Sequence, residues 1–132
     1  MMDELMKLKR GEEELASYAG EEKSHYGGCT ATTVIITKDE IYCANAGDSR
    51  TVLSVNGKAE NLSDDHKPDN LEEKKRIQNA GCYVEGGRVN STLAVSRALG
   101  DFDYKRHPSF NAKFQAVTAY PDVAVIKREP EH

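Results

Sequence analysis

Three neighbouring segments, "CTATTVIIT" (29–37), "EIYCANAG" (40–47) and "TVLSVNG" (51–57), are dense in β-branched and aromatic residues. They restrict the possible folds more than any other feature of the chain, because such side chains favour a pleated, half-buried backbone. Lys38-Asp39 and Asn56-Gly57 punctuate the run, which predicts a meander of antiparallel strands with hairpin turns at both marks. Val34 to Ile36 and Ile41 to Ala44 are apolar at successive positions, and a strand apolar on both faces is covered on both. The expectation is therefore a sheet held between a second sheet and a helix layer. Gly47-Asp48-Ser49-Arg50 separates the second and third segments. The plain reading is a hairpin bend; the sharper one is that the turn aims Asp48 at something.

Elsewhere the pattern is helical. Leu5, Leu8, Leu15 and Ala19 recur at three-four spacing and predict a helix over 1–20, its narrow apolar stripe packed on the domain's own core. Gly11 within it costs about 1 kcal/mol against alanine. "AGEEKSHYGG" (19–28) reads as a linker, so the chain divides into an N-terminal helix and linker, 1–26, and a domain, 27–132. Residues 63–70 form a polar loop containing Pro68. Asn70 and Glu73 have capping-box spacing, and "LEEKKRIQNA" then predicts a helix ending at Gly81, with Leu71, Ile77 and Ala80 on its buried side. "CYVEGGRVN" reads as a strand broken by Gly86-Gly87, "STLAVSRALGD" (91–101) as a second short helix, and "DVAVIKR" (122–128) as a final strand. The class is α/β of the α+β type.

At 132 residues the chain is one domain at most. Only 38% of residues are apolar and 30% are charged, but the patterning is too regular for disorder. A formal charge of −4 without a basic stripe argues against nucleic acid as a partner. No apolar run reaches membrane-spanning length and the N-terminus lacks a continuous hydrophobic region, so the expected location is cytoplasmic or nuclear, without a membrane partner. Cys29, Cys43 and Cys82 are odd in number, far apart and set in apolar runs, which predicts buried thiols and neither a disulfide frame nor a zinc site.

Chemistry-bearing residues gather in the predicted loops. Asp48, Asp64, Asp65, Asp69, Asp101 and Asp103 supply the hard oxygens a divalent cation requires. Aspartate is also the ordinary turn residue, so both readings stand. His66, between Asp65 and Lys67, belongs either to an acid-base pair or to a solvated loop. Nucleophile-elbow and P-loop patterns are absent.

The ordered string "GGCTATTVIIT…IYCANAGDSR…LSDDHKPDNLEEKKRIQNAGCYV…GGRVNSTLAVSRALGDFDYK" resembles the metal-dependent protein serine/threonine phosphatases, the protein phosphatase 2C (PPM) family. The match runs from Gly27 to Lys105 and continues loosely through "VTAYPDVAVIKR". The resemblance implies part of an antiparallel β-sandwich flanked by helices. It also implies hydrolysis of phosphoserine and phosphothreonine on proteins by water bridging two magnesium or manganese ions. Asp48 falls on the position that ligates an additional metal in the family. Residues 63–100 fall on its flap region, where Arg88 and His66 are the candidates for substrate contact, Arg88 being equally readable as a structural ion pair. Ser96 and Arg97 take structural places, and Asp101 a place supporting the metal region.

The family's main ligand motifs are missing: Glu-Asp and Asp-Gly-His-Gly upstream, Asp-Gly-x-x-Asp and Asp-Asn downstream. The expectation is thus the middle part of a phosphatase domain, with no catalytic residue assigned, that holds metal weakly or not at all and hydrolyses phosphate poorly alone. Its uncovered strands should drive self-association. The alternative is a catalytically dead homologue that binds phosphoproteins or another phosphatase as a regulatory module.

Overall fold

The computed structural model describes residues 2–18, 27–130 and 132. Helices α1 (Met2–Met6) and α2 (Lys9–Tyr18) are followed by strands β1 (Gly28–Cys29), β2 (Ala31–Ile36), β3 (Glu40–Ala46), β4 (Val52–Val55) and β5 (Lys58–Asn61). Helix α3 (Leu71–Asn79) comes next. After it come β6 (Val84–Glu85), β7 (Arg88–Val89), β8 (Leu99–Gly100) and β9 (Asp122–Lys127), with short 3-10 turns at Phe102–Tyr104 and Ala112–Phe114. Every sheet is antiparallel, and the class is the expected α+β.

The main sheet has the order β2-β3-β9, with Ile36 opposite Ile41 and Ile41 opposite Ile126. Both expected hairpins form. At the first, Thr37 N–H donates to Glu40 O at 2.8 Å. At the second, Asn56 and Gly57 take left-handed φ values of 50° and 76°, which match the twist of the two strands they join. The meander does not form, however. Beyond Gly47-Arg50 the chain leaves the main sheet, β9 takes the free edge of β3, and β4 pairs only with β5. The expected two-sided cover is also incomplete: Ile35 is 60% exposed and Ile36 62%, and Val123 and Val125 on β9 are exposed as well.

The buried core lies beside the sheet, where Ile77 of α3 packs with Val89, Ala98 and Val117. Leu71, expected on the buried side of α3, is instead 68% exposed. The capping box is not made either. Asn70 donates its amide to Asp65 O at 2.8 Å, and Glu73 turns inward toward two arginines. Nor do residues 91–101 form a helix. Asn90 and Ser91 take left-handed φ, and the backbone is claimed at long range: Ser96 N–H by His66 O and Ala98 N–H by Thr118 O. "CYVEGGRVN" is a hairpin, turned at Gly86-Gly87.

The predicted N-terminal helix breaks at Lys7-Leu8. A Cβ on Gly11 would lie 2.3 Å from Leu5 O, so glycine there lets α1 fold back across α2. The stripe residues Leu5, Leu8 and Leu15 are exposed, which corrects the expected packing on the core; Ala19 and linker residues 19–26 lie outside the described residues. Asp3 fastens α1 to the domain, accepting from Gly100 N–H at 2.9 Å and from the Lys105 ammonium at 2.5 Å. Cys43 is buried as expected, whereas Cys82 is only half-buried and Cys29 is exposed because β1 pairs only with β8.

Candidate functional site

The Gly47-Arg50 turn is held by contacts from Thr30, from Asn45 of β3 and from the 64–66 loop. Gly47 has φ +120°, and a Cβ there would sit 2.3 Å from Thr30 Cγ2, so only glycine fits. Its N–H donates to His66 Nδ1 at 3.1 Å, while its carbonyl accepts from His66 N–H and from the Asn45 amide, both at 3.0 Å. Asn45 also donates to Asp64 O at 3.0 Å. Ser49 lies 2.6 Å, hydroxyl to hydroxyl, from Thr30. These bonds hold the residue before Asp48 rigidly, and rigidity is what a positioned carboxylate requires.

His66 is 4% exposed, which overturns the solvated-loop reading. Because Nδ1 accepts from Gly47, the proton of the neutral ring is on Nε2, which donates to Asp122 Oδ2 at 3.0 Å. Asp122 takes a second bond from Arg97 Nη1 at 2.7 Å. The Asp122 side chain is 68% exposed, and the partial desolvation it does suffer favours the neutral acid; the bonds from His66 and Arg97 outweigh this and hold the carboxyl below the usual carboxylate range. Arg97 also grips Glu73, with Nη2 to Oε1 at 2.7 Å, and Arg76 Nη2 reaches Glu73 Oε2 at 2.8 Å. Glu73 is 3% exposed; burial pushes its carboxyl up, and the two guanidinium groups overcome this and bring it to about 2. A chain of ionic and hydrogen-bonded contacts thus runs from α3 through β9 to the turn: Arg76, Glu73, Arg97, Asp122, His66, Gly47. It is buried at Glu73 and His66 and open to solvent at Asp122.

Asp48 itself is ion-paired with the Lys67 ammonium. Arg50 holds Asp65 with two bonds, Nε to Oδ1 at 2.9 Å and Nη2 to Oδ2 at 3.0 Å, and this pairing keeps the Asp65 carboxyl low. Arg88 lies apart, on the exposed β6–β7 hairpin, donating to Thr92 O at 2.7 Å. Asp101 is buried in a left-handed conformation near Gly28, and burial raises its carboxyl. Among the described residues no three His, Cys, Asp or Glu side chains converge as a ligand set. With Asp48 engaged by Lys67 as well, these residues do not by themselves fit a divalent-metal centre.

The sequence puts Asp48 in a turn and His66 in a polar loop, but not the partners that fix them. Glu73 reads locally as part of a cap and Asp122 as the start of a strand. The only local signal for their roles was Glu73 and Arg76 at i,i+3 spacing on a helix.

The protein phosphatase 2C family model matches residues 3–132. The probable protein phosphatase 2C 2 of Paramecium tetraurelia is 48% identical over 131 residues, 98% of this chain and 44% of the relative. Protein phosphatase 2C homolog 2 of Schizosaccharomyces pombe is 56% identical over 105 residues, 79% of this chain and 28% of the relative. Among solved structures, a phosphatase from a pathogenic strain of Toxoplasma gondii superposes with a TM-score of 0.64 at 41% identity, over 67% of this chain and 28% of that one. The chain belongs to the protein phosphatase 2C family. It spans less than half the length of these relatives.

Proposed function

We propose that this chain is the turn-bearing middle of a metal-dependent protein serine/threonine phosphatase that removes phosphate from phosphoserine and phosphothreonine with magnesium or manganese. The observation that carries the reading is the family match over 3–132, which includes a Gly47-Asp48 turn gripped on both sides by His66. The chain's own residues hold and orient. His66 and Asn45 fix the backbone before Asp48, and the Glu73–Arg97–Asp122 ions anchor His66 to α3 and β9. Lys67 holds the Asp48 carboxylate where an additional cation would compete for it. Alone, these residues bind a divalent ion weakly and turn over phosphate poorly, since three ligands do not converge among those described.

Arg88 is the substrate-facing candidate, because it is the exposed cation at the tip of the β6–β7 hairpin. Exposed apolar residues on β2 and β9 support self-association of the chain. The working location is cytoplasmic or nuclear.

The test is a chimera in which residues 27–132 replace the matching segment of the Paramecium relative. It should release phosphate from a phosphothreonine peptide with manganese and stop when chelator is added. A folded chimera without phosphatase activity would sink the catalytic reading and leave a phosphoprotein-binding role.

A further inference from the structure

A cleft of about 450 Å³ opens between α3 and the 110–120 loop. Phe110, Phe114 and Tyr120 line it, Phe114 and Tyr120 being 50% and 47% exposed. Exposed aromatic side chains grouped in one concavity mark an interaction site, because they offer large contact area at little entropic cost. The loop that presents them is already ordered. Gln115 donates to His107 O at 3.0 Å and Phe110 O at 2.7 Å, and accepts from His107 N–H at 2.9 Å. Thr118 donates to Ala112 O at 2.7 Å, and Asn111 caps the Ala112–Phe114 turn. A ligand binding here would not need to order the loop, which removes one cost of association.

The charge of the cleft selects the ligand. Four cationic and three carboxylate side chains line it, on a chain whose formal charge is −4. Each of the carboxylates is already committed. Glu72 pairs with Lys75 at 2.9 Å, Glu73 with Arg76 and Arg97, and Asp122 with Arg97. Lys113 has no carboxylate partner among the described residues, and its ammonium sits 4.7 Å from the Tyr120 ring centroid. The unmatched charge in the cleft is therefore positive, and it stands beside an aromatic floor.

We propose that this cleft docks an acidic peptide segment of a partner protein, an apolar side chain entering between Phe114 and Tyr120 and a carboxylate meeting Lys113. The proposal does not depend on the catalytic reading, since it needs neither a metal nor the Asp48 turn. The cleft nevertheless shares Glu73, Arg97 and Asp122 with the ionic chain that ends on Gly47, so a ligand here would sit against the turn's anchor.

The probe is a fluorescein-labelled peptide with a Leu-Phe centre flanked by glutamates, compared by anisotropy with the same peptide flanked by lysines. The expected result is saturable binding of the glutamate peptide that weakens as salt is raised, with little binding of the lysine peptide. Lys113→Glu and Phe114→Ala, both at exposed positions that should leave far-UV circular dichroism unchanged, should each weaken it by about tenfold. Equal binding of the two peptides, affinity unmoved by both substitutions, or no saturation by about 1 mM peptide would overturn the proposal.

Discussion

Glu73 is the residue whose removal tests the buried network most severely. Its carboxylate is 3% exposed and balances two guanidinium groups, with Arg97 Nη2 at 2.7 Å and Arg76 Nη2 at 2.8 Å. In Glu73→Gln the shape is kept, but the charge that neutralises those cations is lost. A carboxyl lowered from 4.5 to about 2 corresponds to about 3 kcal/mol of stabilisation at neutral pH. Breaking a buried ion pair from one side costs a similar amount, roughly 3–5 kcal/mol. The folded-state value lies below the unfolded one, so this stability is fully present above about pH 4.5 and is lost as pH falls toward about 2. Urea unfolding followed by circular dichroism should show Glu73→Gln less stable by about 3 kcal/mol at pH 7, the gap closing between pH 4.5 and 2. A gap under about 1 kcal/mol at pH 7, or one that does not narrow in acid, would refute the argument that Glu73 is a buried, doubly paired carboxylate.

Other substitutions probe the turn and the sheet. Gly47→Ala places a methyl group 2.3 Å from Thr30 Cγ2 at φ +120°, and thermal melts should show a loss of about 2–3 kcal/mol or more. His66→Ala leaves the Gly47 N–H without its acceptor. A loss of about 1–3 kcal/mol is expected, along with faster hydrogen exchange at the Gly47 amide; unchanged exchange would mean that His66 does not hold the turn. Ile35 and Val125 lie on uncovered strands, so light scattering should report a mass above 14.6 kDa for the chain and a shift toward the monomer for Ile35→Lys with Val125→Lys. A monomer without the substitutions would count against self-association.

The parts of the fold governed by near neighbours were legible in the sequence. Asn56-Gly57 and Lys38-Asp39 specify turns through their own backbone preferences, and "DVAVIKR" carries its strand in its β-branched residues. What remained hidden depended on partners distant in sequence. Residues 91–101 have helical spacing, but Thr118 and His66 claim their backbone and Glu73 claims Arg97. Glu73 matches a cap locally, yet it is drawn inward by a guanidinium 24 positions away. The two readings of His66 cannot be separated locally, because its partners, Gly47 and Asp122, lie 19 and 56 positions away. Composition offers no hint of such pairings, and the ionic chain becomes visible only once β9 is placed against β3. The Asp48 turn is located from its motif, while its ion pair with Lys67 becomes visible only in the geometry.

The proposed role, an oriented Asp48 turn from a metal-dependent phosphatase that needs further residues to hold metal, stands or falls on one assay. Its most direct test is hydrolysis of a small aryl phosphate by the purified, folded chain, first with manganese and then with excess chelator. The expected result is no turnover above buffer under either condition. Turnover that manganese supports and chelator abolishes would contradict it, since a working metal site would then form from these residues or from paired copies of the chain.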